Sequence, residues 1–298
     1  MININTLLLT RLMTDEKIND VLGKIAEEND LRFSESFPLT GGDINEVFVL
    51  KGNEEKFVVK INDADKYPGM FEAEKLGLEK LLEPDKIDVP KPFKNGIIDN
   101  KSYLLLEHKE SAPMHPDFWK IFGEKLAKLH QVSADQFGLE KNNYIGSLPQ
   151  YNENKTSASE FYIEMRLKPQ LKMAEVNGFK LKINDSFFKN IKNEIPDEKP
   201  SLIHGDLWNG NFIINKEGEP CLIDPATAYA PREMDIGMMH LFGGFNDELF
   251  NRYNEVFPLE NGWKDRIPLW ELYYLLVHLN IFGGAYKSQV TSIISHYS

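Results

Sequence analysis

The sequence predicts an α+β fold in two lobes: a small antiparallel sheet carrying one helix, followed by a mainly helical lobe. Three observations predict it. Strand-like segments crowd residues 31–107, long helical periods dominate after Glu107, and the pattern changes near Glu107–Ser111. The expected division is therefore 1–107 for a β-rich lobe and 108–298 for a helical one. A cleft between two such lobes is a common place for a ligand site.

The chain can support this architecture. Its 298 residues are 42% hydrophobic and 27% charged, an ordinary balance for a chain with a real core and no need of metal or disulfide staples. One cysteine, Cys221, excludes an internal disulfide and fits a reducing cytoplasm. It lies in a strand-like segment and reads as an inert core residue. The first residues, "MININTLLLTRLMTDEK", lack the basic start of a secretory signal and read as a tail. No apolar run approaches ~18 residues, so no membrane span is expected. The net charge of −12 argues against a nucleic-acid partner and leaves a small anion possible at a local positive site.

The elements follow in order. Residues 15–29 form an amphipathic helix, with Ile18, Val21, Leu22 and Ile25 on one side. "LRFSESFPL", "NEVFVLKG" and "KFVVKIN" read as strands, the last two joined by the hairpin signal "GNEE". Residues 67–82 are helical, "VPKPF" breaks the chain, and "GIIDNKSYLLLE" is a second hairpin. Helices are then expected over 117–131, 157–177, 233–256 and 265–282, with another near the C-terminus. The short strands "SLIHG", "FIIN" and "PCLID" interrupt them.

Four motifs carry chemistry. In "HGDLWNGN", Asp206 and Asn211 sit at the two ends of one loop, and the following hairpin returns Asp224 of "LIDPA" beside them. Opposed strands lie ~5 Å apart, within reach of a shared metal. Phosphoryl transfer needs these types: a carboxylate to take the hydroxyl proton, and an amide oxygen plus a second carboxylate for Mg²⁺. His204 is expected to brace the loop rather than move protons. A metal hydrolase is disfavoured because no second histidine stands at ligand spacing.

"FVVKIN" places Lys60 among Val58, Val59 and Ile61, where an inward charge needs a partner. Phe71, Glu74, Leu78 and Leu81 share one face of the next helix, so Glu74, rather than Glu72, is expected to meet Lys60 and hold it toward phosphates. Gly41 and Gly42, between two strands, allow backbone amides close to phosphate oxygens. Leu106, Glu107 and His108 end the last strand of the first lobe and offer backbone groups to an adenine ring.

Taken in order, these parts resemble the protein-kinase-like fold of small-molecule kinases, and "HGDLWNGN…IDPA" resembles the aminoglycoside phosphotransferase group. "DPA" stands where protein kinases have "DFG". "NYIGSLPQYN", "EFYIEMRLKPQLKMA", "DPATAYAPREMDIGMMHLFGGF" and "LYYLLVHLNIFGGAY" extend the likeness along nearly the whole chain, and are similar to the fructosamine/ketosamine-3-kinase family. That family phosphorylates the 3-hydroxyl of a sugar ketoamine on an amine, free or protein-bound. The resemblance implies ATP and Mg²⁺ as cofactors, residues 1–107 as the nucleotide-binding lobe and 108–298 as the catalytic and substrate lobe. It implies Asp206 as catalytic base, Asn211 and Asp224 as metal ligands, Lys60 and Glu74 as the phosphate-orienting pair, and Trp208 as a wall of the sugar pocket. Some members carry a redox-active cysteine in the Gly-rich loop; here Asp43 occupies that region.

Two other readings remain open on sequence: a kinase of another hydroxylated small molecule such as an aminoglycoside, and a nucleotide-binding pseudokinase. The C-terminal aromatics Trp263, Trp270, Tyr273, Tyr274, Phe282 and Tyr286 fit either sugar stacking or core. The two "FGG" stretches read as tight helix ends.

Overall fold

A computed structural model describes residues 17–39, 44–53 and 55–298. Gly41 and Gly42, Asp43, the tail and the Glu54 corner of the first hairpin lie outside the described residues. The chain divides into two compact units. The first runs to Lys75 and includes Lys91–His108; the second comprises Leu76–Pro90 and Lys109–Ser298.

In the first unit, helix α1 (17–28) buries Val21, Leu22 and Ile25. The sheet holds β1 (Glu35–Leu39), β2 (Glu46–Lys51), β3 (Lys56–Asp63), β4 (Pro92–Ile98) and β5 (Lys101–Glu107), in the order β1-β2-β3-β5-β4. Every pairing is antiparallel. Strand period sorts the faces of β3. Val59 and Ile61 join Leu22, Ile25, Tyr103 and Leu105 in one apolar cluster, while Lys60 and Asn62 take the opposite face. The β4–β5 turn is made by Asp99 and Asn100, both at positive φ (48° and 63°). Such residues tolerate the left-handed region that a tight hairpin requires. "VPKPF" is less of a break than its prolines suggest, because β4 already begins at Pro92. Proline is accepted at the start of an edge strand, and the register shifts between Pro92 and Lys94.

Helix α2 (Met70–Leu82) follows β3, and the division between the units falls within it, after Lys75.

The second unit is mainly helical. It contains α3 (Phe118–His130), α4 (Ala158–Phe161), a π-helical stretch Tyr162–Leu167, α5 (Lys168–Val176), α6 (Phe187–Glu194), α7 (Glu233–Phe242), α8 (Asp247–Val256), α9 (Trp263–Phe282) and α10 (Lys287–His296). Three two-stranded pairs complete it. β6 (Asn143–Ile145) pairs with β7 (Leu148–Gln150), β8 (Ser201–Ile203) with β11 (Ala228–Ala230), and β9 (Phe212–Ile214) with β10 (Pro220–Leu222). The core centres on α9, where Trp270, Tyr273, Tyr274 and Leu276 are buried. Cys221 is fully buried within β10. Among the described residues, no helix is long and apolar enough to cross a membrane.

The single helix expected over 233–256 is two. Gly243 and Gly244 take positive φ (66° and 88°), and Asn246 then caps α8 by accepting from the Glu248 amide at 2.9 Å. Two consecutive left-handed residues end any right-handed helix, and a side-chain oxygen at the N-cap starts the next. The β6–β7 hairpin, β11 and α6 are elements that the apolar pattern did not single out.

Candidate active site

The β8 strand delivers the chain into the loop His204–Asn211, and the β9–β10 hairpin carries it back. Phe212 pairs with Leu222, and the Ile223 amide donates to the Asn211 carbonyl at 3.0 Å. Asn211 and Asp224 therefore flank the open end of one hairpin, both close to Asp206. The loop itself is tightly turned. The Trp208 amide donates to the Asp206 carbonyl (3.1 Å), and the Asn211 amide to the Trp208 carbonyl (3.0 Å). Gly205 has φ +85°, and a Cβ there would stand 2.2 Å from the Ala226 carbonyl oxygen, so no other residue fits.

Asn211 has one possible orientation. Its Nδ2 donates to the Asp206 carbonyl (2.8 Å) and to Asp206 Oδ2 (3.1 Å). A carbonyl only accepts, so this end must be the NH₂, and Oδ1 is left as an oxygen donor for a cation. Asp224 is exposed and adopts φ +56°. Burial pushes the Asp206 carboxyl up to about 7, and the nearby charge of Asp224 adds to the shift. Two carboxylates beside a free amide oxygen fit a hard divalent cation. Among the described residues no group of three or more His, Cys, Asp or Glu forms a closed metal cage. An ion here would take its other ligands from phosphate or water.

His204 braces the loop. Its Nδ1 accepts from the Asp206 amide (3.3 Å) and its Nε2 donates to the Ile223 carbonyl (2.9 Å). Burial lowers its pKa, so the neutral ring with hydrogen on Nε2 is favoured. Asp235 on α7 is a residue that the sequence reading missed. Its buried carboxylate accepts from the amides of His204 and Gly205, both at 2.8 Å, and meets His130 Nε2 at 3.2 Å. The available signal was a carboxylate flanked by Met234 and Ile236, the same kind of signal as Lys60 among its apolar neighbours.

Trp208 is 38% exposed. Its ring folds over Gly210, where a Cβ would come within 2.3 Å of it, and lies 6.5 Å from the Phe242 ring. His278 is 4.9 Å from Phe242, 5.5 Å from Phe282 and 5.1 Å from Tyr286. The C-terminal aromatics thus separate: Trp270, Tyr273 and Tyr274 are core, whereas Phe282 and Tyr286 join an accessible cluster around His278. Tyr274 Oη donates to the Gly205 carbonyl (2.9 Å), and His278, one turn on, donates from Nδ1 to the Tyr274 carbonyl (2.7 Å). Burial keeps His278 neutral, which leaves Nε2 as an acceptor. His278 was not singled out by sequence; a histidine within the run Leu272–Leu279, otherwise aromatic and aliphatic, was the available cue.

In the first unit, Lys60 Nζ lies 2.7 Å from Glu74 Oε1, with both side chains largely buried. Leu106 is buried at the end of β5. The Glu107 amide donates to the Lys91 carbonyl (2.9 Å), and its carboxylate accepts from the Lys91 amide (3.0 Å). Its N–H is therefore committed within the sheet. His108 is the last residue of the first unit.

The fructosamine kinase family model matches residues 15–298. A probable ketoamine kinase of Enterococcus faecium is 38% identical over 266 residues, covering 87% of this chain and 94% of that protein. The chloroplastic protein-ribulosamine 3-kinase of Arabidopsis thaliana is 37% identical over 265 residues, covering 86% and 80%. A solved structure from Haemophilus somnus, assigned as a fructosamine-3-kinase, superposes with a TM-score of 0.83 at 30% identity, covering 91% of this chain and 94% of that one. A thermostable mutant of the aminoglycoside phosphotransferase APH(4)-Ia, solved with ADP and hygromycin B, gives a TM-score of 0.60 at 12% identity, over 92% and 97%. That level of identity carries the kinase-like fold alone.

Proposed function

The chain belongs to the fructosamine kinase family, and on that premise we propose that it transfers the γ-phosphoryl group of ATP to the 3-hydroxyl of a sugar ketoamine such as a fructosamine or ribulosamine. As a member of this family it is a phosphotransferase with an alcohol group as acceptor, and ATP is its phosphoryl donor. Asp206 is the base, Asn211 and Asp224 hold magnesium, Lys60 held by Glu74 orients phosphate, and Trp208 walls the sugar pocket. Gly41, Gly42, Leu106 and His108 are the backbone contacts assigned to the nucleotide. Glu107 serves there through groups other than its committed amide. The sequence boundary at 107/108 corresponds in this reading to a nucleotide-binding part and a catalytic part. The setting proposed is the cytoplasm, where ATP and reduced Cys221 are both at home.

The observation that carries the reading is the orientation of Asn211, with Nδ2 donating to Asp206 and Oδ1 left for a cation. The acceptor hydroxyl donates a hydrogen bond to the Asp206 carboxylate. Its oxygen forms the new bond to the γ-phosphorus as the bond to the β–γ bridging oxygen breaks. Its proton passes to Asp206, and ADP departs. Magnesium, when bound, neutralises phosphate charge. The transition state is loose, so positioning and charge outweigh early proton removal. His278 Nε2 and the rings around it supply an acceptor and apolar faces suited to sugar hydroxyls.

The test measures ADP release with fructosyl-lysine, ribulosyl-lysine and kanamycin in parallel, with phosphorus NMR of the product. The expected result is turnover of a ketoamine, with phosphate on its third carbon. Turnover of kanamycin alone, or of no acceptor, overturns the proposal.

A further inference from the structure

The stretch "NYIGSLPQ" is the β6–β7 hairpin, and no step above uses it. Its two buried amides end on the chain just beyond Asp224. Gln150 Nε2 donates to the Ala226 carbonyl (3.2 Å), and Asn143 Nδ2 donates to the Thr227 carbonyl (2.9 Å). Gln150 Nε2 also donates to Asn143 Oδ1 (2.8 Å).

The polarity of this network is determined at its ends. Arg166, almost fully buried in the π-helical stretch, is donor-only, and its Nη2 donates to Asn152 Oδ1 (2.8 Å). Asn152 Nδ2 must then donate onward, to Asn143 Oδ1 (3.0 Å). Asn143 in turn can only donate from Nδ2 to Thr227. At the far end, the Ala226 carbonyl can only accept, so Gln150 turns its NH₂ to Ala226 and its Oε1 to Tyr273, whose Oη donates to it (2.6 Å). Each amide has one satisfied orientation, and a flip of any of them would set two acceptors, or two donors, against each other.

Asp224 needs such support. A non-glycine residue at φ +56° is strained and persists only where its neighbours hold it. His204 holds the residue before, by its bond to the Ile223 carbonyl, and accepts from the Ala226 amide at 2.9 Å. The hairpin holds the carbonyl side of the same segment.

We propose that the β6–β7 hairpin is a clamp on the metal-binding loop, in which Gln150 and Asn143 are positioning residues for Asp224 and Arg166 and Tyr273 orient them. This rests on the reading of Asp224 as a metal ligand. The clamp acts on the metal-bound nucleotide and not on the sugar. Second-layer groups of this kind are worth ~10–100-fold in metal affinity.

The experiment compares wild type with Gln150→Met, Tyr273→Phe and Asp224→Asn. Calorimetry measures ADP binding with Mn²⁺ and with EDTA, electron paramagnetic resonance follows bound Mn²⁺, and thermal melts report folding. The expected result is a roughly tenfold loss of Mn²⁺–ADP affinity in Gln150→Met and a smaller loss in Tyr273→Phe. Metal-free ADP binding and the acceptor KM stay at wild-type values. If Asp224→Asn loses metal while both clamp variants bind it as wild type does, the clamp is wrong and the ligand reading stands. If Asp224→Asn binds Mn²⁺–ADP normally, both fall. If Gln150→Met does not fold, Tyr273→Phe decides. Equal losses with and without metal reveal a merely structural role and overturn the proposal.

Discussion

The Asp235 carboxylate and the Gly205 amide are joined at 2.8 Å, and the same carboxylate takes the His204 amide at 2.8 Å. One buried anion thereby fixes the backbone that carries Asp206. Asp235→Asn replaces one accepting oxygen by a donor facing an N–H. Charge-assisted bonds of this kind contribute ~1.5–3 kcal/mol. The expected outcome is a lower melting temperature together with a fall in kcat that exceeds any change in KM. Unchanged kcat would show that the loop holds its shape without Asp235.

Lys60 and Glu74 test the first unit. Removing one partner leaves a buried charge, at a cost of about 3–5 kcal/mol. Glu74→Gln is expected to raise the nucleotide KM and to lower stability. Lys60→Met should lower kcat more than it lowers stability. Denaturant melts beside initial-rate kinetics separate the two effects.

The metal-free protein should show an unusual pH dependence. The Asp206 carboxyl, pushed up to about 7 by burial and then by the charge of Asp224, binds its proton more tightly in the folded chain than in the unfolded one. Its contribution to stability is therefore greatest in acid and is lost as pH rises from the ordinary carboxylate range through about 7. In EDTA, Asp206→Asn is expected to raise the melting temperature at pH 8 and to leave it little changed at pH 4. The same variant should lose kcat by ~10²–10⁴-fold. A melting curve identical to wild type at both pH values would contradict the electrostatic account.

Trp208 stands accessible beside Phe242, and His278 beside Phe242 and Phe282. Trp208→Ala is expected to raise the acceptor KM roughly tenfold and to leave the nucleotide KM alone. His278→Gln, which keeps a polar acceptor, should be milder than His278→Ala. Parallel titrations of acceptor and ATP check both.

Much of this was legible in residue types and spacing. Lys60 betrayed itself as a charge among β-branched residues, and helical period selected Glu74 over Glu72. The spacing of Asp206, Asn211 and Asp224 marked a loop and a returning hairpin. Asp235, His278 and the Gln150–Asn143 clamp were not legible. Each acts through contacts with residues far along the chain: Asp235 with Gly205, His278 with Phe242, and Gln150 with Ala226 and Tyr273. The expected helix over 233–256 failed for a related reason. Apolar period runs through Gly243 and Gly244, but Gly244 lies against Asn209, where a Cβ would meet its side chain at 2.6 Å. Helix propensity yields there to the packing of the loop.

The sequence by itself determined the two-part α+β plan, the pairing of Lys60 on the sheet with Glu74 on the helix, and the polar types of the loop from His204 to Asn211, because strand and helix periods and the cost of burying charge are local properties. Only the tertiary structure decided that Asn211 turns its NH₂ to Asp206 and its oxygen away, that Asp224 takes positive φ, and which aromatics are core. Those outcomes depend on hydrogen-bond partners and packing supplied by segments distant in the chain, and no local pattern encodes them.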